Sequence, residues 1–322
     1  MGNVAWRLFA EHPWAITAQA LDALMEMARL RATTGLKADF LDGVPDAPAR
    51  DNKAAGGVGV IPIRGTIKQH GGGSFFDFLF GSVSTDGISV QLRTFLADES
   101  VRAIVLDIDS PGGSTFGMTE LAGEIMAARG KKPIIAVANS VAASGAYWIG
   151  SAADQFYATP GGLVGSIGVY MLHMDMSQAA AAEGVVPTFV SAGKNKLRGN
   201  EFAPLSDEDV THFQAIVNDT YEAFVKDVAR GRGVTPAAVR GGFGEGDVVP
   251  SSQAKKMGMV DGVMTLSAAI EKAQTLRSKA PSGMAAEAID IEQQADAEGA
   301  QRLRFLRWQA QQSLAESARG NS

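Results

Sequence analysis

The sequence predicts an α/β fold in which parallel strands are joined by crossover helices. Two observations carry that expectation. The segments "VGVIPIRGTI" from Val58, "VRAIVLDIDS" from Val101 and "KPIIAVANS" from Lys132 are short, rich in Val and Ile, and apolar nearly throughout, as strands covered on both faces are. Between the second and third lies "GMTELAGEIMAARGKK", an amphipathic helix with Leu121, Ile125 and Met126 on one side and a basic end at Arg129, Lys131 and Lys132. Strand, helix and strand in that order make a parallel crossover.

The remaining elements fall on either side of this core. Residues 14 to 32 carry apolar side chains at helical spacing, with Leu21, Leu24 and Met25 at i, i+3 and i+4, and the polar stretch that follows reads as a linker up to Gly57. "PLSDEDVTHFQAIVNDTYEAFVKDVARGRG" is the clearest helix in the chain. Ser206 caps it with Asp209 at the capping-box position, Val210, Phe213, Val217, Phe224 and Val228 form its apolar stripe, and Gly231 and Gly233 close it. After Gly283 the chain is rich in Ala, Gln and charge and reads as a weakly amphipathic tail, with Leu303, Leu306 and Trp308 as anchors for a partner. Three regions result: an N-terminal helical segment and linker over 1–56, a core over 57–275, and a polar helical tail over 276–322.

Composition excludes several classes of function. A formal charge of -6 over 322 residues leaves no basic footprint for nucleic acid or an anionic membrane surface. The chain has no cysteine, which removes disulfides, Cys-ligated zinc and a thiol nucleophile together and fits a reducing cytoplasm. Glu11, His12 and Pro13 interrupt what a secretory signal would need, and no apolar run is long enough to span a bilayer, so the protein is expected to lack a membrane anchor.

Two motifs follow the second and third strands. In "DIDSPGGS", Gly112 and Gly113 sit at the carboxyl end of a sheet, where ligands bind in α/β folds, and glycines let backbone N–H groups approach a substrate closely. An ordinary tight turn is the plainer reading, and a Walker lysine is absent. In "NSVAASGAYWIGSAA", small residues crowd Ser144 at a strand-to-helix joint, where the Gly145 N–H can face an oxyanion formed in acyl transfer. The plainer reading is a helix cap, with Ala143, Gly145, Ala146 and Gly150 allowing close packing. A base for Ser144 is offered by His173 among the four histidines, or by Lys194 or Lys196 in "VSAGKNKLRG" after the strand-like "VPTFV"; a partly desolvated lysine there loses its proton near neutral pH.

Together, "DIDSPGGS", "VANSVAASGAYWIGSAADQFYATPGGLVGSIGV", "SAGKNK" and "GDVVPSSQAKKMGMVDGV" resemble, in order, the motifs of the signal peptide peptidase A family of serine proteases, from about Gly57 to Val263. The resemblance implies a fold like that of the Clp protease proteolytic subunit and the crotonases. It implies Ser144 as nucleophile, Lys196 as general base by a "G-x-x-K" pattern beginning at Gly193, and Gly113 and Gly145 as oxyanion donors. No metal or organic cofactor is implied. The N-terminal segment resembles phage and prophage versions of the family, the capsid-assembly proteases. The implied partners are therefore polypeptides, namely scaffold and head proteins or the chain itself, within a ring-like homo-oligomer in a bacterial cytoplasm or a prohead. A soluble peptide-degrading relative, a crotonase-like acyl-CoA enzyme and a non-catalytic scaffold protein are the alternatives.

Overall fold

The structure is a computed structural model that describes residues 12–34, 53–54, 56–71 and 82–276. Most of the expected linker, and the expected tail apart from Leu276, lie outside the described residues. The described residues form two sheets. The larger is built on β3 (Val58–Arg64), β6 (Ala103–Ser110) and β8 (Ile134–Ala143), all parallel neighbours, as the three apolar segments predict. The first half of β8 also pairs with β9 (Gln155–Ala158) and its last three residues with β10 (Leu163–Gly165). Beyond these, β2 (Lys53–Ala54) and β11 (Val248–Pro250) are antiparallel edges, and β12 (Gly262–Val263) pairs with β9.

Burial follows from the two apolar faces of these strands. On one face Ile61, Ile104, Leu106, Ile134 and Ala136 pack under α2 (Thr85–Ala97), α3 (Met118–Ala128) and α4 (Gly145–Ser151). On the other, Val58, Val105, Ile135 and Val137 pack against Ala269 and Ala273 of α9 (Leu266–Thr275). The helix α3 joins β6 to β8, as its amphipathic pattern predicts, burying Leu121 and Ile125.

The smaller sheet has the order β1-β7-β4-β5, formed by β1 (Trp14–Ile16), β4 (Thr66–Lys68), β5 (Ser82–Ser84) and β7 (Gly112–Ser114). Here the structure departs from the helical reading of residues 14 to 32. Helix α1 (Ala18–Thr34) begins four residues later than expected, and Trp14–Ile16 is a strand. Three apolar residues suit either period; pairing with β7, available only in the folded chain, decides for the strand.

Two short helices, α5 (Ser177–Ala182) and α7 (Pro236–Gly242), flank the long helix α6 (Asp207–Arg232), and α8 (Ser251–Lys256) follows β11. The expected capping box of α6 forms: the Ser206 side chain accepts from the Asp209 N–H and the Asp209 carboxylate accepts from the Ser206 N–H. Gly233 ends the helix in the left-handed conformation. Only the second half of the expected stripe is buried. Phe224, Val225 and Val228 lie in the core, whereas Val210 is 50% exposed. The strand-like "VPTFV" is not a strand; it pairs with no described strand, and Val186 is 85% and Val190 98% exposed.

Candidate active site

Ser144 stands between the last residue of β8 and the first of α4 and is fully buried. Its backbone has φ 54° and ψ −121°, a conformation that crowds a β-carbon and costs about 1–3 kcal/mol unless the surroundings impose it. They do: its N–H donates to the Gly165 carbonyl at 2.7 Å, and its carbonyl accepts from the Trp148 N–H at 3.0 Å. The hydroxyl caps nothing. It makes one long hydrogen bond, 3.5 Å to the Gly168 carbonyl. A strained serine that does not use its hydroxyl at the helix start does not fit the plainer cap reading.

The packing role of the small neighbours is real as well. A β-carbon on Gly150 would lie 2.7 Å from the Phe156 ring, and one on Gly145 would lie 2.5 Å from the Met118 methyl. Small residues therefore let α4 approach β9 and α3.

Gly113 belongs to β7, which follows β6 after the Pro111 turn. A β-carbon there would lie 1.8 Å from the Ile67 carbonyl oxygen, so a larger residue at 113 would perturb the sheet itself in addition to any chemistry. Gly112 has φ +100°. A β-carbon on it would lie 2.9 Å from the Gly145 nitrogen, which puts the two glycine loops side by side.

The candidate bases divide. The His173 ring sits 3.2 Å from the Ala203 carbonyl, through Nε2, and makes no contact with Ser144 among the described residues. Lys194 pairs with Glu208 at 3.6 Å on the surface. Lys196 is exposed, and its side chain makes no hydrogen bond or ion pair among the described residues. The chain by itself does not join Lys196 to Ser144 by a hydrogen bond.

Trp148, Asp227 and Arg129, none of which the sequence marks for this role, hold α4 in place. Trp148 stacks on Phe224 with ring centroids 4.4 Å apart and planes 5° from parallel, and its Nε1–H donates to Asp227 at 2.9 Å. Arg129, expected only as the basic end of its own helix, donates to the carbonyls of Ser151, Ala152, Ala153 and Gly231 at 2.6 to 3.2 Å. It closes the carboxyl end of the helix that Ser144 begins. No periodicity announces this, because the partner carbonyls lie more than twenty residues away.

Residues 127–279 match the model of peptidase family S49. The head-tail preconnector protein GP5 of Enterobacteria phage P21 is 33% identical over 69% of this chain and 44% of its own length. The capsid assembly protease C of Escherichia phage lambda is 30% identical over 65% of this chain and 48% of its own. Protease 4 of Haemophilus influenzae is 29% identical over 74% of this chain and 37% of its own. The chain thus spans less than half the length of each of these relatives. Among the described residues no helix is long and apolar enough to cross a membrane, and no acidic or histidine cluster could hold a metal ion. The segment 127–279, which carries β8 and the strand-to-helix Ser144, is thus similar to peptidase family S49.

Proposed function

We propose that the chain is a serine endopeptidase with a Ser144–Lys196 dyad. The observation that carries this reading is the strained, uncapped Ser144 at the head of α4, beside the Gly145 N–H and the Gly112–Gly113 strand. Ser144 Oγ attacks the scissile carbonyl while Lys196 takes its proton. The proton then passes to the leaving amine, and water releases the acyl group by the same route in reverse. The Gly113 and Gly145 N–H groups hold the oxyanion. That two relatives are named as a capsid assembly protease and a head-tail preconnector protein favours scaffold and head proteins as substrates during capsid maturation.

The test is co-expression with a candidate scaffold protein, read by intact mass. Wild type is expected to cleave it, and Ser144→Ala and Lys196→Ala each to abolish cleavage with the melting temperature retained. The double variant is expected to be no worse than either single one, because nucleophile and base act as a unit. Robust proteolysis by Lys196→Ala would overturn the dyad.

A further inference from the structure

The strand β1 lies against the Gly112–Ser114 strand, close to Gly145 beside Ser144. It pairs antiparallel with β7 in the register Trp14 with Ser114, Ala15 with Gly113 and Ile16 with Gly112. The Thr17 N–H donates to the Pro111 carbonyl at 3.1 Å, and the Thr115 N–H to the Pro13 carbonyl at 3.3 Å. Hydrogen-bonded pairs alternate along an antiparallel ladder, so Ala15 and Gly113 form the hydrogen-bonded pair between them. The Ala15 carbonyl therefore faces the N–H of Gly113, the residue read above as an oxyanion donor. The same oxygen would lie 2.1 Å from a β-carbon on Gly112 and 3.2 Å from one on Gly145, the other donor.

The opposite edge of the strand is held too. Trp14 exchanges both backbone hydrogen bonds with Tyr170, at 2.8 and 3.1 Å, two residues beyond the Gly168 carbonyl that receives the Ser144 hydroxyl. Trp14 and Ile16 are buried with Leu21 and Leu24, and the half-buried Tyr170 and Leu172 pack against them. The chain's own segment thus lies as the central strand between residues 112–114 and Tyr170, with a carbonyl directed at the glycine pair next to the buried Ser144.

We propose that Trp14–Ile16 is an intramolecular pseudosubstrate, and that the groove opens to another peptide only when this strand leaves. The inference rests on the reading of Ser144 as nucleophile and of Gly113 and Gly145 as oxyanion donors. Occupancy without cleavage is consistent with Lys196, which is exposed and not bonded to Ser144 in the same chain. A peptide that competes with a tethered strand binds with an affinity reduced by the fraction of molecules that are open.

The absence of cysteine from the sequence makes a clean test possible. A Trp14→Cys/Tyr170→Cys pair replaces two residues that exchange hydrogen bonds, whose Cα atoms stand about 5.5 Å apart, within the roughly 4.4–6.8 Å a disulfide spans. In a full-length Ser144→Ala background, binding of a fluorescent peptide copying residues 12–18 is followed by anisotropy. The disulfide is expected to form; the oxidised protein should bind no better than it binds a scrambled peptide, and reduction should raise affinity at least tenfold. Trp14→Ala, which loosens the strand without adding thiols, should bind the peptide more tightly than its parent. Failure of the disulfide to form, equal affinity in the two redox states, or no gain from Trp14→Ala in a folded protein overturns the proposal. Proteolysis by the same pair with Ser144 intact is read separately. Redox-gated binding without any cleavage would leave the pseudosubstrate standing and remove the Ser–Lys protease reading.

Discussion

At the scale of single residues, the backbone of Ser144 is as informative as its hydroxyl. A positive φ is tolerated by glycine without the crowding a β-carbon brings, so a change to glycine at 144 relieves strain that a change to alanine keeps. Both variants lack the nucleophile. Ser144→Gly is nonetheless expected to be more stable than Ser144→Ala by about 1 kcal/mol, checked by chemical denaturation of the two inactive proteins side by side. Equal stabilities would mean that the turn is not strained. Tyr170 shows the opposite economy: its hydroxyl is buried with no hydrogen-bond partner among the described residues, and burial, with a lesser contribution from Asp22, pushes its pKa up to about 12. Its worth lies in the backbone bonds to Trp14 and the packing of its ring.

Elements are held by contacts between their ends. Arg129 gathers four carbonyls from the end of α4 and from Gly231 near the end of α6, so removing its guanidinium leaves buried acceptors without a donor. Arg129→Ala is expected to cost about 2–4 kcal/mol by denaturant unfolding, and Arg129→Lys to recover only part, because one ammonium cannot span the same fork of acceptors. A second brace lies nearby. Burial alone would raise the Asp261 pKa, but the Arg232 guanidinium at 2.8 and 3.0 Å and the Phe156 N–H at 2.6 Å outweigh it and hold the carboxyl below its ordinary value. A depressed carboxyl contributes stability that is present above its unfolded pKa and lost as pH falls through the folded one. The loss therefore belongs below about pH 4. Asp261→Asn is expected to melt earlier than wild type at pH 7 and to lose less on going from pH 5 to pH 3, as thermal melts across that range would show. A parallel drop in both proteins would acquit Asp261.

For the molecule as a whole, the unequal placement of the proposed dyad is the leading fact. Ser144 is sealed in the core, whereas Lys196 ends a stretch, 181–196, in which every residue but Pro187 is exposed, including the apolar Val185, Val186, Phe189 and Val190. Such a run of exposed apolar side chains suits a surface covered by another chain. A lysine carried on it can then reach a serine it does not meet at home. Mixing separately purified Ser144→Ala and Lys196→Ala proteins, each inactive, is expected to restore peptidase activity to about a quarter of wild type if random partners supply one intact half each. No recovery after confirmed subunit exchange would assign the lysine to its own chain.

What the sequence determined by itself is whatever is written in local periodicity and in short motifs. The apolar runs from Val58, Val101 and Lys132 read as buried strands, the 3.6-residue pattern of 118–128 crosses over between two of them, and Ser206 with Asp209 begins a helix. Ser144, Lys196, Gly113 and Gly145 are candidates on the order of their motifs, and the proposed variants are what would establish them. The tertiary structure alone decided matters that depend on residues far apart in the chain. Trp14–Ile16 is a strand because β7, about a hundred residues later, offers it hydrogen bonds, and three residues carry too little periodic signal to announce that. Arg129 serves α4 because folding brings the carbonyls there, and "VPTFV", strand-like by composition, pairs with no described strand. Ser144 is strained because Gly165 and Trp148 grip its two peptide groups at once, a constraint that exists only when β8, β10 and α4 have met.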